Sequence, residues 1–323
     1  MVMEINFKDE KSKNLFNQNK KGTKSKKTSN QNQGYKVKDS FDISKTQVPK
    51  DTREALSGFN SKEFDNFYLK LNQFARFDIA DNKKQDEKKF IFYRNKAKDL
   101  EDIEIKVNFG DFDFKNNLTK QEQIIKTLFG EKNYHKEELT TSSRLLIGSE
   151  ESIYETSIRL HHIYGIPYIP ASAIKGIVRS YIILEYFADE LEKYKDNYNK
   201  FEDEVLFQCD WFVDIFGSQE SEGKVIFVDA FPTNKPTIKV DIMNPHYGDY
   251  YSKGKAPTDT MKLNPINFLT VENTTFEFFI ASKESLEAFK IKEKTLIEWF
   301  QEALQNHGIG AKTAVGYGYF EEQ

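Results

Sequence analysis

The chain has 323 residues, a formal net charge of −4, one cysteine (Cys209), 28 phenylalanines and 16 tyrosines. This length suffices for a sizeable core in one large or two ordinary domains, while the lone cysteine excludes an internal disulfide framework and a zinc site built on cysteines. No apolar run is long enough to cross a bilayer, and MVMEINFKDEKSKN lacks the apolar centre of a signal peptide. The expected setting is therefore cytoplasmic and away from membranes, with any nucleic acid held in a local groove, since the net charge does not favour binding over the whole surface.

Residues 1–50 carry 12 lysines against 5 acidic residues and few apolar side chains. Such a segment cannot bury enough surface to offset its ordering entropy, so a disordered basic arm is expected. Over 51–140 the spacing predicts a helical accessory region, with apolar stripes at Phe64, Phe67, Tyr68, Leu71 and Phe74 and at Ile124, Ile125, Leu128 and Phe129. A short strand is expected between them at Ile103, Ile105 and Val107. Nothing in this region has catalytic spacing.

From 141 to 323 the chain reads as one α+β domain. Arg144-Leu145-Leu146-Ile147-Gly148 predicts a buried strand, and Ile153 to Leu160 an extended run into His161-His162. Two prolines, Pro167 and Pro170, keep the backbone extended up to Ser172, which is placed to cap a helix. Ile174, Ile177, Val178, Tyr181 and Ile182 follow helical spacing toward a core. Lys175 and Arg179 share another face near the positive end of that helix, a ready-made anion site. A polar helical stretch over 187–204 precedes a second over 205–216, which holds Cys209 and Trp211 and stops at Gly217. A strand is expected at 224–231, and a long loop at 241–265 through Asn244-Pro245-His246. Further strands follow at 268–271 and 275–280. A final helix buries Leu296, Trp299, Phe300, Ala303 and Leu304 and ends at His307.

Gly308, Gly310, Gly316 and Gly318 then surround Lys312-Thr313. Glycines here permit positive φ and close backbone approach, giving a concave row of N–H donors suited to phosphate. A Walker loop runs from strand to helix with glycine directly before lysine; this segment runs from helix to strand, and Ala311 precedes Lys312, so a nucleotide site of that type is excluded. Taking strand 144–148, helix 172–186, strand 224–231, strand 275–281, helix 283–307 and strand 315–320 gives βαββαβ, the ferredoxin-like or RRM-type order, with helical insertions. That topology brings the start of its first helix near the loop after its second, so the two anion sites are expected to form one groove.

Four stretches together resemble the RAMP superfamily of CRISPR RNA-binding proteins, and most of all the sixth-subunit family of the type III-B (Cmr) effector complex. They are Leu160-His161-His162 with Tyr164 to Arg179, Phe216-Gly217 with Gly223 to Ala230, Asp241 to Tyr247 with Tyr250-Tyr251, and Gly308 to Gly318. The glycine loop is shared across the superfamily, whereas the Asn244-Pro245-His246-Tyr247 loop narrows the match. The likeness covers about 144–320; Ala171 departs from it, standing where the family commonly has glycine. It implies a non-catalytic subunit that holds guide RNA near its 3′ end and caps the backbone filament of the complex in antiviral defence. Its implied partners are guide RNA, target RNA and other Cmr subunits, with no cofactor and no metal. The implied RNA contacts are His161, His162, Ser172, Lys175, Gly176, Arg179, Asn244, His246, Gly308, Gly310, Lys312, Thr313, Gly316 and Gly318.

The rival is a guide-processing endoribonuclease of the same superfamily. Metal-free RNA cleavage needs a general acid or base that titrates near neutrality, and His161 and His162 are the serious candidates. The chain's histidines contain no His-x-x-x-His pair, so zinc is not expected. Adjacent residues on a strand face opposite ways, so at most one of His161 and His162 is expected to face RNA.

Overall fold

The structure, a computed structural model, describes residues 48–58, 65–74, 107, 109–148, 158–243 and 266–322. Most of the expected basic arm, Phe64, the strand expected at Ile103 and Ile105, the run at 153–157 and the loop residues 244–265, with Asn244 and His246, lie outside them. The described residues all fall within the unit Val37–Gln323.

In chain order, α1 (Lys50–Ala55) and a π-helical turn at Leu69–Gln73 come before α2 (Phe114–Phe129) and β1 (Tyr134–Thr141). Next are α3 (Ala171–Tyr186), α4 (Ala188–Lys193), α5 (Tyr198–Phe201), a π turn at Glu202–Leu206, and α6 (Asp210–Phe216). The strands β2 (Val225–Phe227), β3 (Phe231–Pro232), β4 (Thr237–Met243), β5 (Ile266–Glu272) and β6 (Thr275–Ser282) follow. A small hairpin, β7 (Lys290–Ile291) and β8 (Lys294–Thr295), leads into α7 (Leu296–Glu302) with its π turn Ala303–His307, and β9 (Phe320–Glu321) closes the chain.

The sheet is organised about β6, all eight residues of which are buried. Its order is β2-β6-β1-β9, with β3 also on β6 and antiparallel pairing throughout. Because side chains alternate along a strand, β6 serves two layers. Phe276, Phe278 and Ile280 enter the main core, where Phe278 meets Phe300 of α7 and Phe320 of β9 at ring-centroid distances of 5.5 Å. Phe279 and Ala281 enter a smaller cluster with Ile125 of α2. The helix α3 fits its spacing, burying Ile174, Val178, Tyr181, Ile182 and Ile183. The start of α7 is fixed by a reciprocal capping box between Thr295 and Glu298. β4 and β5 form a separate antiparallel pair from Thr237↔Glu272 to Met243↔Ile266.

Several expectations are corrected. The first core strand is β1 and not 144–148, where only Leu145 bridges, to Val271. β1 therefore begins on the N-terminal side of the boundary expected at 141. Its Tyr-His-Lys-Glu-Glu run hides the strand signal because its charges have partners: Lys136 pairs with buried Glu277 at 2.8 Å, and Gln301 donates to Glu137 at 2.8 Å. The final helix starts at Leu296 and not 283, since the β7–β8 turn, with Lys292 at φ 57°, comes first. The last strand shrinks from 315–320 to β9, because a 3₁₀ turn at Thr313–Val315 and positive φ at Gly316 and Gly318 interrupt it. β4 is a strand where a loop was expected from 241. The strand expected at 224–231 is divided into β2 and β3.

Candidate nucleic-acid interface

The glycine loop follows the π turn after α7. Gly318 sits at φ 79° and Gly310 at φ 94°, and a Cβ at either would run into backbone, the Ile309 carbonyl for Gly318 and the Leu146 carbonyl for Gly310. Only glycine satisfies both the backbone angle and the approach. The loop is laid along Arg144–Ile147 by hydrogen bonds from Gly318 N to the Arg144 carbonyl and from Ala311 N to the Leu146 carbonyl, each 2.8 Å. Ile309 N donates back to the Gly318 carbonyl at 2.8 Å, closing the loop at its base. Among the described residues, the N–H groups of Gly310, Lys312 and Thr313 have no acceptor. Lys312 is left-handed at φ 65°, and its Nζ lies 5.4 Å from the Phe268 ring centroid and 3.2 Å from Met243 Sδ, against the β4–β5 pair.

Beside the loop, Asp241 accepts from Tyr317 and pairs with Arg144, which also reaches Glu272 at 3.4 Å. Burial and the Asp241 bond push the Tyr317 hydroxyl up to about 12. Burial works against ionisation of Asp241, but the bonds from Tyr317 and Arg144 outweigh it and hold its carboxyl below the usual range. The Arg144 charge is thereby neutralised within the protein.

The far side of the same strip leads to α3. The Ile147 carbonyl accepts from Arg159 N at 2.7 Å, and Arg159 Nε donates to the Gly148 carbonyl at 3.2 Å. His161 and His162 follow in a turn and not on a strand, so their rings lie on one side, stacked 5.3 Å apart at 12°; the expected opposition of the two is overturned. Burial, then the neighbouring His162 charge, lowers the pKa of His161, with Asp229 opposing. His161 Nδ1 accepts from Tyr164 N at 3.3 Å, which assigns the proton of the neutral ring to Nε2.

Ser172 is not the cap of α3: Pro170 holds that position, and Ser172 is exposed one residue inside the helix. Asp229 instead accepts from Ala171 N at 2.7 Å, filling from within the anion site expected at this helix end. Arg179 is also turned inward, bonded to Glu202 and to the Tyr198 hydroxyl at 3.0 Å, with its guanidinium over Phe212. Lys175 is half-buried and makes no ion pair with the described residues. Gly176 is exposed, and a Cβ there would meet nothing within 4 Å.

Thus His161 and His162 come together, and Gly308, Gly310, Lys312, Thr313, Gly316 and Gly318 share one loop. No direct contact among the described residues joins Lys175 or Arg179 to Lys312; the bonded strip that starts at the loop runs through Arg144–Ile147 as far as Arg159. Sequence reasoning missed Arg144, Arg159, Asp229, Tyr164, Tyr168 and Phe231. The Asp-Ala pair after an apolar strand was visible, but nothing local signals that it caps a helix 58 positions earlier. Among the described residues no three His, Cys, Asp or Glu side chains group as a metal set, and no helix is long and apolar enough to cross a membrane.

A model of the RAMP superfamily matches residues 138–321. The chain is 36% identical over 228 residues to the CRISPR system Cmr subunit Cmr6 of Pyrococcus furiosus, covering 56% of this chain and 66% of that protein. It is 30% identical over 280 residues to the CRISPR system CMR subunit Cmr6 of Saccharolobus solfataricus, covering 83% and 84% respectively. A chain in the cryo-EM structure of the type III-B Cmr-beta bound to cognate target RNA matches with 29% identity, 64% coverage of each chain and a TM-score of 0.46. The match to the Pyrococcus protein thus stops just short of two thirds of its length.

Proposed function

Because the chain belongs to the RAMP superfamily, and within it to the family of CRISPR Cmr6 subunits, we propose that it is a non-catalytic, RNA-binding subunit of a type III-B CRISPR effector complex. In that role it holds the guide RNA near its 3′ end, caps the backbone filament and meets target RNA and other Cmr subunits. We read the β2-β6-β1-β9 order, with α3 and α7 in the two crossovers, as ferredoxin-like. The observation that carries the RNA reading is the glycine loop, which leaves the Gly310, Lys312 and Thr313 amides without an acceptor among the described residues on an edge flanked by the Lys312 side chain. Amides and a lysine recognise phosphate without reading sequence.

The non-catalytic reading is supported by the histidines. His161 has a lowered pKa and one nitrogen engaged by Tyr164 N–H. Cleavage needs two proton-transfer groups placed on opposite sides of the scissile phosphate, whereas the two rings at this turn, His161 and His162, stack on each other at 5.3 Å and 12°, with His161 Nδ1 already engaged by the Tyr164 amide.

The test uses the purified full chain and single-stranded RNA. A Lys175→Ala/Lys312→Ala variant should bind more weakly, and its dependence of log affinity on log salt should become shallower by about 0.7 for each phosphate that is no longer neutralised. Arg179 is left intact because its bonds to Glu202 and Tyr198 belong to the fold. Unchanged affinity in the folded double variant would overturn the phosphate site. No cutting of labelled guide precursor or target RNA is expected, with or without magnesium; specific cutting abolished by His161→Ala or His162→Ala would establish the endoribonuclease instead.

A further inference from the structure

The turn between β1 and α3 presents aromatic rings in a way the core does not require. His161 stacks on His162 at 5.3 Å and 12°, and on Tyr164 at 4.4 Å and 15°. No ring contact joins His162 to Tyr164 among the described residues, so His161 lies between them in a short column of near-parallel planes. At the Tyr164 end the column is closed by Phe112, 4.9 Å away and tilted by 47°. Around its middle, Tyr168 and Phe231 meet His161 edge-on at 5.7 and 5.8 Å. At the other end His162 is exposed, and its outer face has no ring against it among the described residues.

The backbone under this column is clamped. Asn66 Nδ2 donates to the carbonyls of His162 and Ile163, both at 2.9 Å, while His161 N donates to the Ile166 carbonyl at 2.8 Å. Gly165, at φ 69°, lets the turn press against Phe67 N, where any Cβ would collide. Ile163 beside the rings is left 64% exposed. A rigid turn that holds flat rings and an isoleucine in water gains little for folding, but it lowers the ordering cost of whatever lands on it.

We propose that the open face of His162 is a stacking platform for an unpaired RNA base. This rests on the RNA reading above and adds to it a contact with a base face in place of phosphate. The occupant is argued from shape and surroundings. A base extends a column of parallel heteroaromatic planes, every base has such a face, and the strip carrying the turn runs through Arg159 to the glycine-loop amides that have no acceptor among the described residues. One RNA strand crossing that strip places phosphates at the loop and a splayed base on His162.

The experiment uses the full chain and an oligoadenylate carrying 2-aminopurine at successive positions, read by fluorescence quenching and by affinity. Quenching at a defined position is expected with the wild-type chain. His162→Ala should abolish the quenching and weaken affinity about tenfold, and His162→Phe should restore both, since the first variant removes the stacking surface and the second returns it. Binding without quenching at any position, or His162→Ala that binds and quenches like wild type, would overturn the platform while leaving the phosphate site standing. Loss in His162→Ala that Phe does not restore would show a proton or hydrogen bond at work and likewise overturn it. Failure of the wild-type chain to bind RNA at all would overturn the RNA reading together with the platform.

Discussion

At the scale of single residues, Gly176 stands apart from the other glycines of the interface. Gly310 and Gly318 are demanded by positive φ and by carbonyls that leave no room, whereas Gly176 lies in an ordinary helical turn with open space where a side chain would go. Glycine in a helix interior costs roughly 0.5–1 kcal/mol relative to alanine, so its presence weakens α3 with no internal return. Gly176→Ala is therefore expected to stabilise the chain by about that amount in thermal unfolding while weakening RNA retention, because a methyl group then stands where the ligand approaches. A stabilised variant that binds RNA as before would show that no ligand comes close there. Individual residues were unevenly legible. The glycine loop could be read because its restraint is local, but the inward turn of Arg179 depends on Glu202 and Phe212, brought in by elements the sequence does not place.

Among the elements, α3 shows how a carboxylate from a distant strand end substitutes for a local cap. Asp229→Ala removes the acceptor for Ala171 N and is expected to cost about 1 kcal/mol, seen as a lower urea midpoint with unchanged m. Asp229→Asn keeps an acceptor and should retain most of that stability. Both variants remove the charge that opposes the lowered pKa of His161, so by NMR titration His161 should become neutral at a still lower pH in each. If its titration is unmoved, Asp229 is a cap and nothing more. Elements with one apolar stripe, such as α3 and the core face of α7, were readable from spacing. β1 was not, because its polar residues are satisfied across the sheet and under α2, a partnership between segments that periodicity cannot see. β9 was overextended for the opposite reason: Ala314, Val315 and Tyr317 suit a strand, but the glycines between and after them bend the chain away from the sheet.

For the molecule as a whole, the polar layer under α2 sets a pH dependence. Bonds from the Tyr134 hydroxyl and from Lys126 and Lys136 hold Glu122 at about 2 in the folded chain, against an ordinary value of 4.5. A carboxylate with a depressed folded pKa contributes stability that is complete above its unfolded value and is lost as pH falls toward the folded one. The wild-type chain should therefore lose stability between about pH 4.5 and 2 through this group. Glu122→Gln should be less stable near neutrality and show a flatter profile across that window in denaturant titrations. Parallel profiles for the two chains would remove Glu122 from the account.

The pairing of β1 with β6, from Tyr134↔Ala281 to Thr140↔Thr275, also has a consequence in time. On the ribosome, β1 is complete long before its partner exists. At about 5–20 residues per second, the stretch from Thr141 to Thr275 takes roughly 7 to 27 s to make. Until then the nascent chain carries a polar strand whose Lys136 has no Glu277 to meet, and α2 has no Phe279 or Ala281 to cover. The charges that obscure β1 in the sequence keep that waiting edge soluble, and the central sheet closes only once synthesis has reached β6 at Thr275–Ser282, close to the end of the chain.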